Sequence, residues 1–343
     1  MPQRLTAHWY AEHPRPSLLQ PLSWLYGGLL ALRTRGYAAG WLRSERAERP
    51  VVVVGNLTVG GTGKTPLTLW LAGELQARGV KVGILSRGYK RRGKAARVVL
   101  PDADWHEVGD EPLLLARRSG AATVVARDRV AGARLLAAAG VELILCDDGL
   151  QHLRLARDCE IVVIDGARGF GNGRLLPAGP LREPTGRLAG ADLVVVNGAP
   201  AHASLADVGA ALPPLRMDLI ATDAVRLDAQ ESRPLAAFRG QTVHAVAGIG
   251  NPQRFFGQLR AQGIELTEHA FADHYPLTAR DLAFADERVV LMTEKDAVKC
   301  AAFADARLWS VPVVARFSDA DAQLLLACVL ATTDGRSAAG SQI

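Results

Sequence analysis

Long apolar runs are scarce in this chain of 343 residues. Leu18 to Leu32 is largely apolar, but Gln20, Pro21 and Ser23 interrupt it. A helix of about 15 residues reaches about 22 Å, short of the roughly 30 Å hydrocarbon core of a bilayer. A membrane span is therefore not expected here. A cleaved secretory leader is not expected either, because Arg33, Arg35, Arg43 and Arg46 follow the apolar stretch and no good cleavage site appears. Cysteine is also sparse: Cys146, Cys159, Cys300 and Cys328 have no zinc-ligand spacing. That argues against a metal-stapled module and suits buried thiols in a reducing compartment. No internal repeat is visible. With 49% hydrophobic and 22% charged residues the composition excludes a disordered chain. The length exceeds one small core, so two domains are expected. A net charge of +5 leans toward an anionic partner, whether nucleotide, nucleic acid, phospholipid or phosphorylated substrate. An ordinary arginine-rich surface would give the same balance.

What is present is most specific at residues 51–66, Val-Val-Val-Val-Gly-Asn-Leu-Thr-Val-Gly-Gly-Thr-Gly-Lys-Thr-Pro. Four β-branched residues predict a buried strand. A glycine-rich turn and a helix start follow it, the order that lets backbone N–H groups converge on a polyphosphate. Thr58, Val59, Gly60, Gly61, Thr62 and Gly63 form the candidate cradle, Lys64 the contact to the β- and γ-phosphates, and Thr65 a hydroxyl ligand for Mg²⁺. Pro66 lies near the helix start, where its missing N–H costs nothing. Thr58 occupies the place where the general P-loop pattern has its first glycine. A chance glycine turn is the competing reading, and the strand–turn–helix order argues against it.

Short apolar strands at Val82–Leu85, Val98–Leu100, Ala122–Val125, Leu143–Cys146, Ile161–Ile164 and Leu193–Val196 alternate with helical patterns at Glu111–Arg118 and Arg129–Ala139. This predicts an α/β fold, a P-loop-type parallel sheet with helices on both faces and ligands at the carboxyl ends of its strands. Residues 166–187 read as a long Gly/Pro/Arg loop. From about residue 215 the texture changes: 215–227 supplies linking strands, and 242–246 and 289–292 open a second, smaller α/β lobe. The last dozen residues read as a loose tail. Asp147 and Asp148 end an apolar strand downstream of the P-loop, where carboxylates for Mg²⁺ belong. Gln151 and His152 follow, placed to orient substrate or nucleotide. Asp110 opens a helix and reads either as a cap or as a general base for a hydroxyl nucleophile. His274 lies in the second lobe and is either structural or brought in by lobe closure. Arg182, with Glu183 beside it in the long loop, is a candidate to neutralise charge on a transferring phosphoryl group, and Arg129 is a weaker one. Residues 292–299, Met-Thr-Glu-Lys-Asp-Ala-Val-Lys, either close the nucleotide pocket or start a charged helix. The basic loop 86–94 is a solvated charge run or a clamp for a phosphate. Leu18, Leu22, Leu25, Leu29 and Leu32 form one stripe of a helix that either lies at a membrane interface or packs on the protein's own core.

Taken in order, Gly-Asn-Leu-Thr-Val-Gly-Gly-Thr-Gly-Lys-Thr-Pro, Leu-Ser-Arg-Gly-Tyr, Val-Gly-Asp-Glu-Pro, Asp-Asp-Gly-Leu-Gln-His, Pro-Ala-Gly-Pro-Leu-Arg-Glu-Pro, Gly-Ile-Gly-Asn-Pro-Gln-Arg-Phe-Phe, Ala-Asp-His-Tyr-Pro and Thr-Glu-Lys-Asp-Ala-Val-Lys occur in this chain. The set resembles the tetraacyldisaccharide 4′-kinase family of lipid A synthesis, from the N-terminal helix to about residue 330. Thr58 is that family's own form of the loop. The resemblance implies transfer of the γ-phosphoryl of ATP to the 4′-hydroxyl of a tetraacylated glucosamine disaccharide 1-phosphate. ATP and Mg²⁺ are the implied cofactors. The implied partners are that glycolipid and a membrane surface, with no nucleic acid. The implied location is peripheral, on the cytoplasmic face of the inner membrane of a Gram-negative cell. Lys64 and Thr65 are implied to hold phosphate and Mg²⁺, Asp147 and Asp148 to serve the metal with Gln151 nearby, and Asp110 to act as base with His274 assisting. Arg129, Arg182 and Glu183 fall on active-site positions. The implied organisation is a membrane-associating helical segment (1–45), a P-loop kinase core (46–214), a β-linker (215–230), a second α/β lobe (231–331) and the tail (332–343). A rival of another class is a membrane-associated P-loop ATPase switch; such proteins place a lysine directly before the Gly-Gly pair, where this chain has Val59. A kinase for a soluble small molecule fits the apolar N-terminus and the basic loop less well.

Overall fold

The structure is a computed structural model that describes residues 8–11, 18–206, 208, 213–228, 230–303 and 305–340, with backbone alone over 334–340. Its larger sheet has the order β3-β4-β2-β5-β1-β6-β7-β8-β15. The strands are β1 (Val51–Gly55), β2 (Val82–Ser86), β3 (Arg97–Val98), β4 (Ala122–Val125), β5 (Leu143–Asp147), β6 (Cys159–Asp165), β7 (Leu193–Asn197), β8 (Leu215–Ile220) and β15 (Val314–Arg316). From β4 to β8 every neighbour pair is parallel, and the antiparallel β3 and β15 close the two edges.

β1 is buried at every position because helices cover both faces of the sheet. Val51 and Val53 pack in a cluster with Val130, Ala133 and Leu136, while Val52 and Val54 pack with Leu67, Leu71, Leu75, Leu325 and Val329. A parallel strand covered on both faces reads as an unbroken apolar run, the pattern seen at 51–54. The helices that open around the sheet are α1 (Gln20–Ala38), α2 (Lys64–Ala77), α3 (Trp105–Val108), α4 (Asp110–Ser119) and α5 (Arg129–Ala138).

The smaller sheet has the order β10-β9-β14-β13-β11-β12, built from β9 (Asp223–Arg226), β10 (Ser232–Pro234), β11 (Thr242–Ala247), β12 (Glu265–Ala270), β13 (Val290–Thr293) and β14 (Leu308–Val311). β12, β11, β13 and β14 run parallel, with α6 (Pro252–Ala261) and α7 (Glu294–Cys300) as its longer helices.

Three expectations are corrected. The linking strands do not form a separate unit: β8 belongs to the large sheet and β9 to the small one, so the crossing is at residues 221–222. The second lobe ends before residue 331, because β15 pairs with β8 and α8 (Asp319–Gly340) lays Leu325, Leu326 and Val329 on the large sheet. The loose tail is helical as far as Gly340, since α8 continues through residues 332–340, which hold no proline to stop it. Residues 341–343, like 1–7 and 12–17 of the expected N-terminal segment, lie outside the described residues.

The leucine stripe of α1 faces outward. Leu18, Leu22, Leu25, Leu29 and Leu32 are all exposed, with Trp24 and Trp41 beside them. The neighbouring face touches the protein: Ser23 Oγ donates to Leu175 O at 2.8 Å, Tyr26 Oη to Arg182 O at 2.7 Å and Arg33 Nη2 to Gln151 O at 2.8 Å. Packing of the stripe on the protein's own core is therefore excluded. No helix among the described residues is long and apolar enough to cross a membrane.

Candidate active site

The loop after β1 turns sharply because its glycines do what other residues cannot. Gly60 and Gly63 have φ of +109° and +103°. A Cβ on Gly63 would lie 2.6 Å from Asn197 Nδ2 and 3.0 Å from Met217 Cε. Asn197 in turn donates to Thr62 O at 2.8 Å, holding the turn from β7. Thr58 needs no such freedom: it bridges Leu181 in an antiparallel pair, and Val59 N donates to Pro180 O at 2.9 Å. The long loop 166–187 thus braces the first half of the cradle, and threonine is tolerated where the general pattern has glycine. Two buried side-chain oxygens of this loop, Asn56 Oδ1 and Thr62 Oγ1, have no hydrogen-bond partner among the described residues. Oxygens left so are suited to a ligand.

Lys64 and Thr65 open α2 and face the end of β5. Thr65 Oγ1 donates to Asp147 Oδ2 at 3.4 Å, and Thr68, one turn along the same helix face, donates to Asp147 Oδ1 at 3.3 Å. Lys64 Nζ is 3.6 Å from Asp148 Oδ1, and Arg182 Nη1 donates to the same oxygen at 2.7 Å. Asp148 has a left-handed φ of +52°, which turns its carboxylate toward these cations. The two acids are driven apart. Burial, then the charges of Glu111 and Asp148, push Asp147 up to about 7 against the opposing pull of Lys64. Burial pushes Asp148 up too, but Lys64 and Arg182 outweigh it and hold that carboxyl well below the usual range. A divalent cation fits this donor set: two carboxylates and a hydroxyl beside a phosphate cradle, with one acid left short of positive charge. Mg²⁺ needs few protein ligands because it keeps waters and phosphate oxygens. Among the described residues, no group of three or more His, Cys, Asp or Glu side chains is arranged around a metal position.

Gln151 ties the loops together. Its Nε2 donates to Asn56 O at 3.2 Å and to Glu183 Oε1 at 2.9 Å, and its Oε1 accepts from Arg182 at 3.3 Å. Burial raises Glu183 above its ordinary value, with the Gln151 hydrogen bond opposing. His152 does not join this network through its ring; burial, then Arg129 and Arg87, push it down to about 4. Arg129 is buried, and its guanidinium donates to the carbonyls of Ala126 at 2.6 Å and Asp147 at 3.4 Å. It braces the strand end that carries Asp147.

Asp110 and His274 come from different lobes and meet. The cap of α4 is Gly109, so Asp110 does not serve as the N-cap. Its carboxylate lies 2.9 and 3.0 Å from His274 Nδ1. His274 has φ of +58°, in the left-handed region, and its ring reaches Asp110 of the large lobe. Burial pushes Asp110 up, yet the His274 hydrogen bond and then the Lys295 charge prevail and hold it at about 2. Asp110 is thus an ionised carboxylate within hydrogen-bond reach of an imidazole, with a lone pair available for a proton. The second lobe also closes on the cradle: a Cβ on Gly250 would lie 2.8 Å from Gly61 N, and Arg168 Nη1 donates to Gly250 O at 3.0 Å.

The structure thus gathers Lys64, Thr65, Asp147, Asp148, Gln151, Arg182 and Glu183 into one network and pairs Asp110 with His274 across the lobes. Sequence reasoning passed over Thr68, Asn197 and Glu111. Thr68 was findable, three residues after Thr65 on one helix face. Asn197 and Glu111 act through contacts 135 and 184 residues away in sequence, to Thr62 and Lys295, and carry no local signal. In the 292–299 segment Thr293 caps α7, so the segment does start a charged helix, and Lys295 is delivered to His274 from it.

The chain matches the model of the family described as tetraacyldisaccharide-1-P 4′-kinase over residues 15–330. It is 52% identical to the tetraacyldisaccharide 4′-kinase of Alkalilimnicola ehrlichii over 316 residues, covering 91% of this chain and 92% of that protein. It is 49% identical to the protein of the same name from Xanthomonas euvesicatoria over 319 residues, with coverage of 91% and 92%. Its fold is similar to a crystal structure of LpxK from Aquifex aeolicus in complex with ATP, with a TM-score of 0.75, 30% identity and coverage of 92% of this chain and 98% of that one.

Proposed function

Because this chain belongs to the tetraacyldisaccharide-1-P 4′-kinase family, we propose how its residues carry the reaction of that family. It is an ATP-dependent kinase that phosphorylates the 4′-hydroxyl of a tetraacylated disaccharide in lipid A synthesis. The observation that carries the mechanism is the meeting of two half-sites. Lys64 and Thr65 lie at one side of the cleft, and the Asp110–His274 pair, 2.9 Å apart, spans the other.

The loop 58–63 and the N-terminus of α2 hold the triphosphate. Lys64 and Arg182 supply the positive charge that the moving phosphoryl group needs. Thr65, Asp147 and Asp148 would hold Mg²⁺, which when bound neutralises the β- and γ-phosphate oxygens. Asp110 accepts the proton of the 4′-hydroxyl, and His274 keeps its carboxylate oriented. Arg129 and Gln151 position their neighbours without contacting the reacting atoms. The outward leucine stripe of α1, with Trp24, Trp41 and the arginines that follow, supports peripheral docking on a bilayer. The acyl chains can then stay in lipid while the sugar reaches the cleft.

Incubation with labelled ATP, Mg²⁺ and a tetraacyl glucosamine disaccharide 1-phosphate in detergent micelles should place label on the 4′ position. Asp110→Ala should bind ATP normally and lose at least about a hundredfold in kcat. Equal loss of ATP binding and turnover would reduce Asp110 to a structural role.

A further inference from the structure

Lys295 belongs to no part of the phosphate cradle, yet it is the most heavily engaged cation in the cleft. It sits one residue into α7, and its Nζ lies 2.9 Å from Glu111 Oε1, 3.1 Å from Asp273 Oδ1 and 3.2 Å from His274 Nε2. Glu111 is on the large lobe; Asp273 and His274 are on the small one.

The chemistry of these partners fixes a proton. An ammonium has three N–H donors and no lone pair to accept with. A ring nitrogen beside it must therefore be the bare, accepting nitrogen. If Nε2 accepts from Lys295, the imidazole proton is on Nδ1, and it points at the Asp110 carboxylate 2.9 Å away. The alternatives are penalised. A tautomer with the proton on Nε2 would set two donors face to face at 3.2 Å and leave Nδ1 lone pair against carboxylate. An imidazolium would gain from Asp110 at 2.9 Å and Asp273 at 3.8 Å, but it would set two like charges 3.2 Å apart and leave Lys295 no acceptor on the ring. An uncharged Lys295 would relax both penalties, but Glu111, Asp110 and Asp273 surround it and, against burial, keep its ammonium protonated well above the ordinary lysine range.

We propose that Lys295 is a positioning residue that locks His274 as the neutral Nδ1–H tautomer, while its bridge from Asp273 to Glu111 ties that arrangement to the large lobe. Asp110 then receives a directed hydrogen bond without being tied up in a full ion pair with an imidazolium. The groups that face His274 are Asp110 and, through Lys295, Glu111 from α4; Lys295 from α7; Asp273 from its own loop at 3.8 Å; and the ring of Tyr89 from the basic loop, with centroids 5.0 Å apart. Lys299, deeper on α7, is paired with Asp296 at 2.6 Å and donates to Tyr275 O at 2.9 Å, so it holds the loop backbone rather than the ring.

The inference rests on the reading of Asp110 as base, and the two fail separately. The test is nitrogen NMR on the full-length protein with ¹⁵N-labelled histidine, combined with the pH profile of kcat for Lys295→Met and Lys295→Arg. In the wild type, the neutral His274 ring should show a bare Nε2 and a protonated Nδ1. Lys295→Met, which keeps the stem and removes the charge, should lose the fixed tautomer and drop kcat by about tenfold. Its acidic limb should move up by about one pH unit, with the KM for ATP unchanged. Lys295→Arg keeps the donor and the charge and should retain the tautomer and the limb. A wild-type signal from Nε2–H overturns the inference whatever the variants do, including the case in which Lys295→Met fails to fold. So does a Lys295→Met enzyme with wild-type tautomer and pH limb. An active Asp110→Ala enzyme would instead remove the base and leave the tautomer lock intact.

Discussion

Single atoms decide whether the cradle can form. At Gly63 the backbone is left-handed and the space for a Cβ is already taken by Asn197 and Met217. Gly63→Ala should therefore raise the Kd for ATP by more than about tenfold, because the loop must shift to clear the buried Asn197 and Met217. Isothermal titration with ATP reads this directly, and near-normal affinity would show that the turn can relax. Asp110 carries a pH signature as well. Its folded value of about 2 lies below its unfolded value. A depressed carboxylate contributes stability that is fully present above the unfolded pKa and is lost as pH falls through the folded one. That contribution is about 2 kcal/mol by linkage, with the magnitude set by a coupled cluster rather than one contact. The gap in denaturant stability between wild type and Asp110→Asn should be flat from about pH 7 to pH 4 and shrink below it. A gap that shrinks on going to alkaline pH instead would contradict the assignment.

Elements were legible to different degrees, and the reasons are physical. The strands of the large sheet announce themselves because both faces are covered, so 51–54, 143–146 and 161–164 read as unbroken apolar runs. β3 was misplaced by a residue: Val98, Val99 and Leu100 look like a strand, but only Arg97 and Val98 pair with β4. Edge strands have a single partner to define them, and apolar content says nothing about where that pairing stops. The return of β15 and α8 to the large sheet was not readable at all, since Val314–Arg316 has the same local character whichever sheet receives it. That return makes a prediction at this scale. Leu325 is fully buried between α8 and the sheet. Leu325→Ala should cost about 2–5 kcal/mol by the cavity rule and be seen as a lower urea midpoint for the whole protein. Were α8 an appendage of little consequence, the loss would be under about 1 kcal/mol.

At the scale of the whole molecule, the sequence named most of the site's residues but not how two lobes assemble it. Lys64, Thr65, Asp147 and Asp148 follow from strand ends of one sheet. The Asp110–His274 contact spans 164 positions and depends on how the lobes meet, which no local pattern encodes. The direction of α1 was equally hidden, because a leucine stripe looks the same whether it faces a core or a bilayer. The structure turns the stripe outward and hydrogen-bonds the neighbouring face to Leu175, Arg182 and Gln151, two of which belong to the candidate site. A membrane docked on that stripe would therefore lie directly against the cleft. Burying leucines in the acyl boundary is worth about 1.5–3 kcal/mol each at full burial, and less at an interface. Leu22→Gln, Leu25→Gln and Leu29→Gln together should lower partitioning into anionic phospholipid vesicles by more than about tenfold. The residual binding should weaken further with salt, because Arg35 and Arg43 would carry it. ATP affinity should not change, since none of the three leucines contacts the cradle. Turnover should fall on substrate presented in vesicles and be spared on substrate dispersed in detergent. Unaltered vesicle binding by the triple variant, measured by flotation at low and high salt, would mean that another surface meets the membrane.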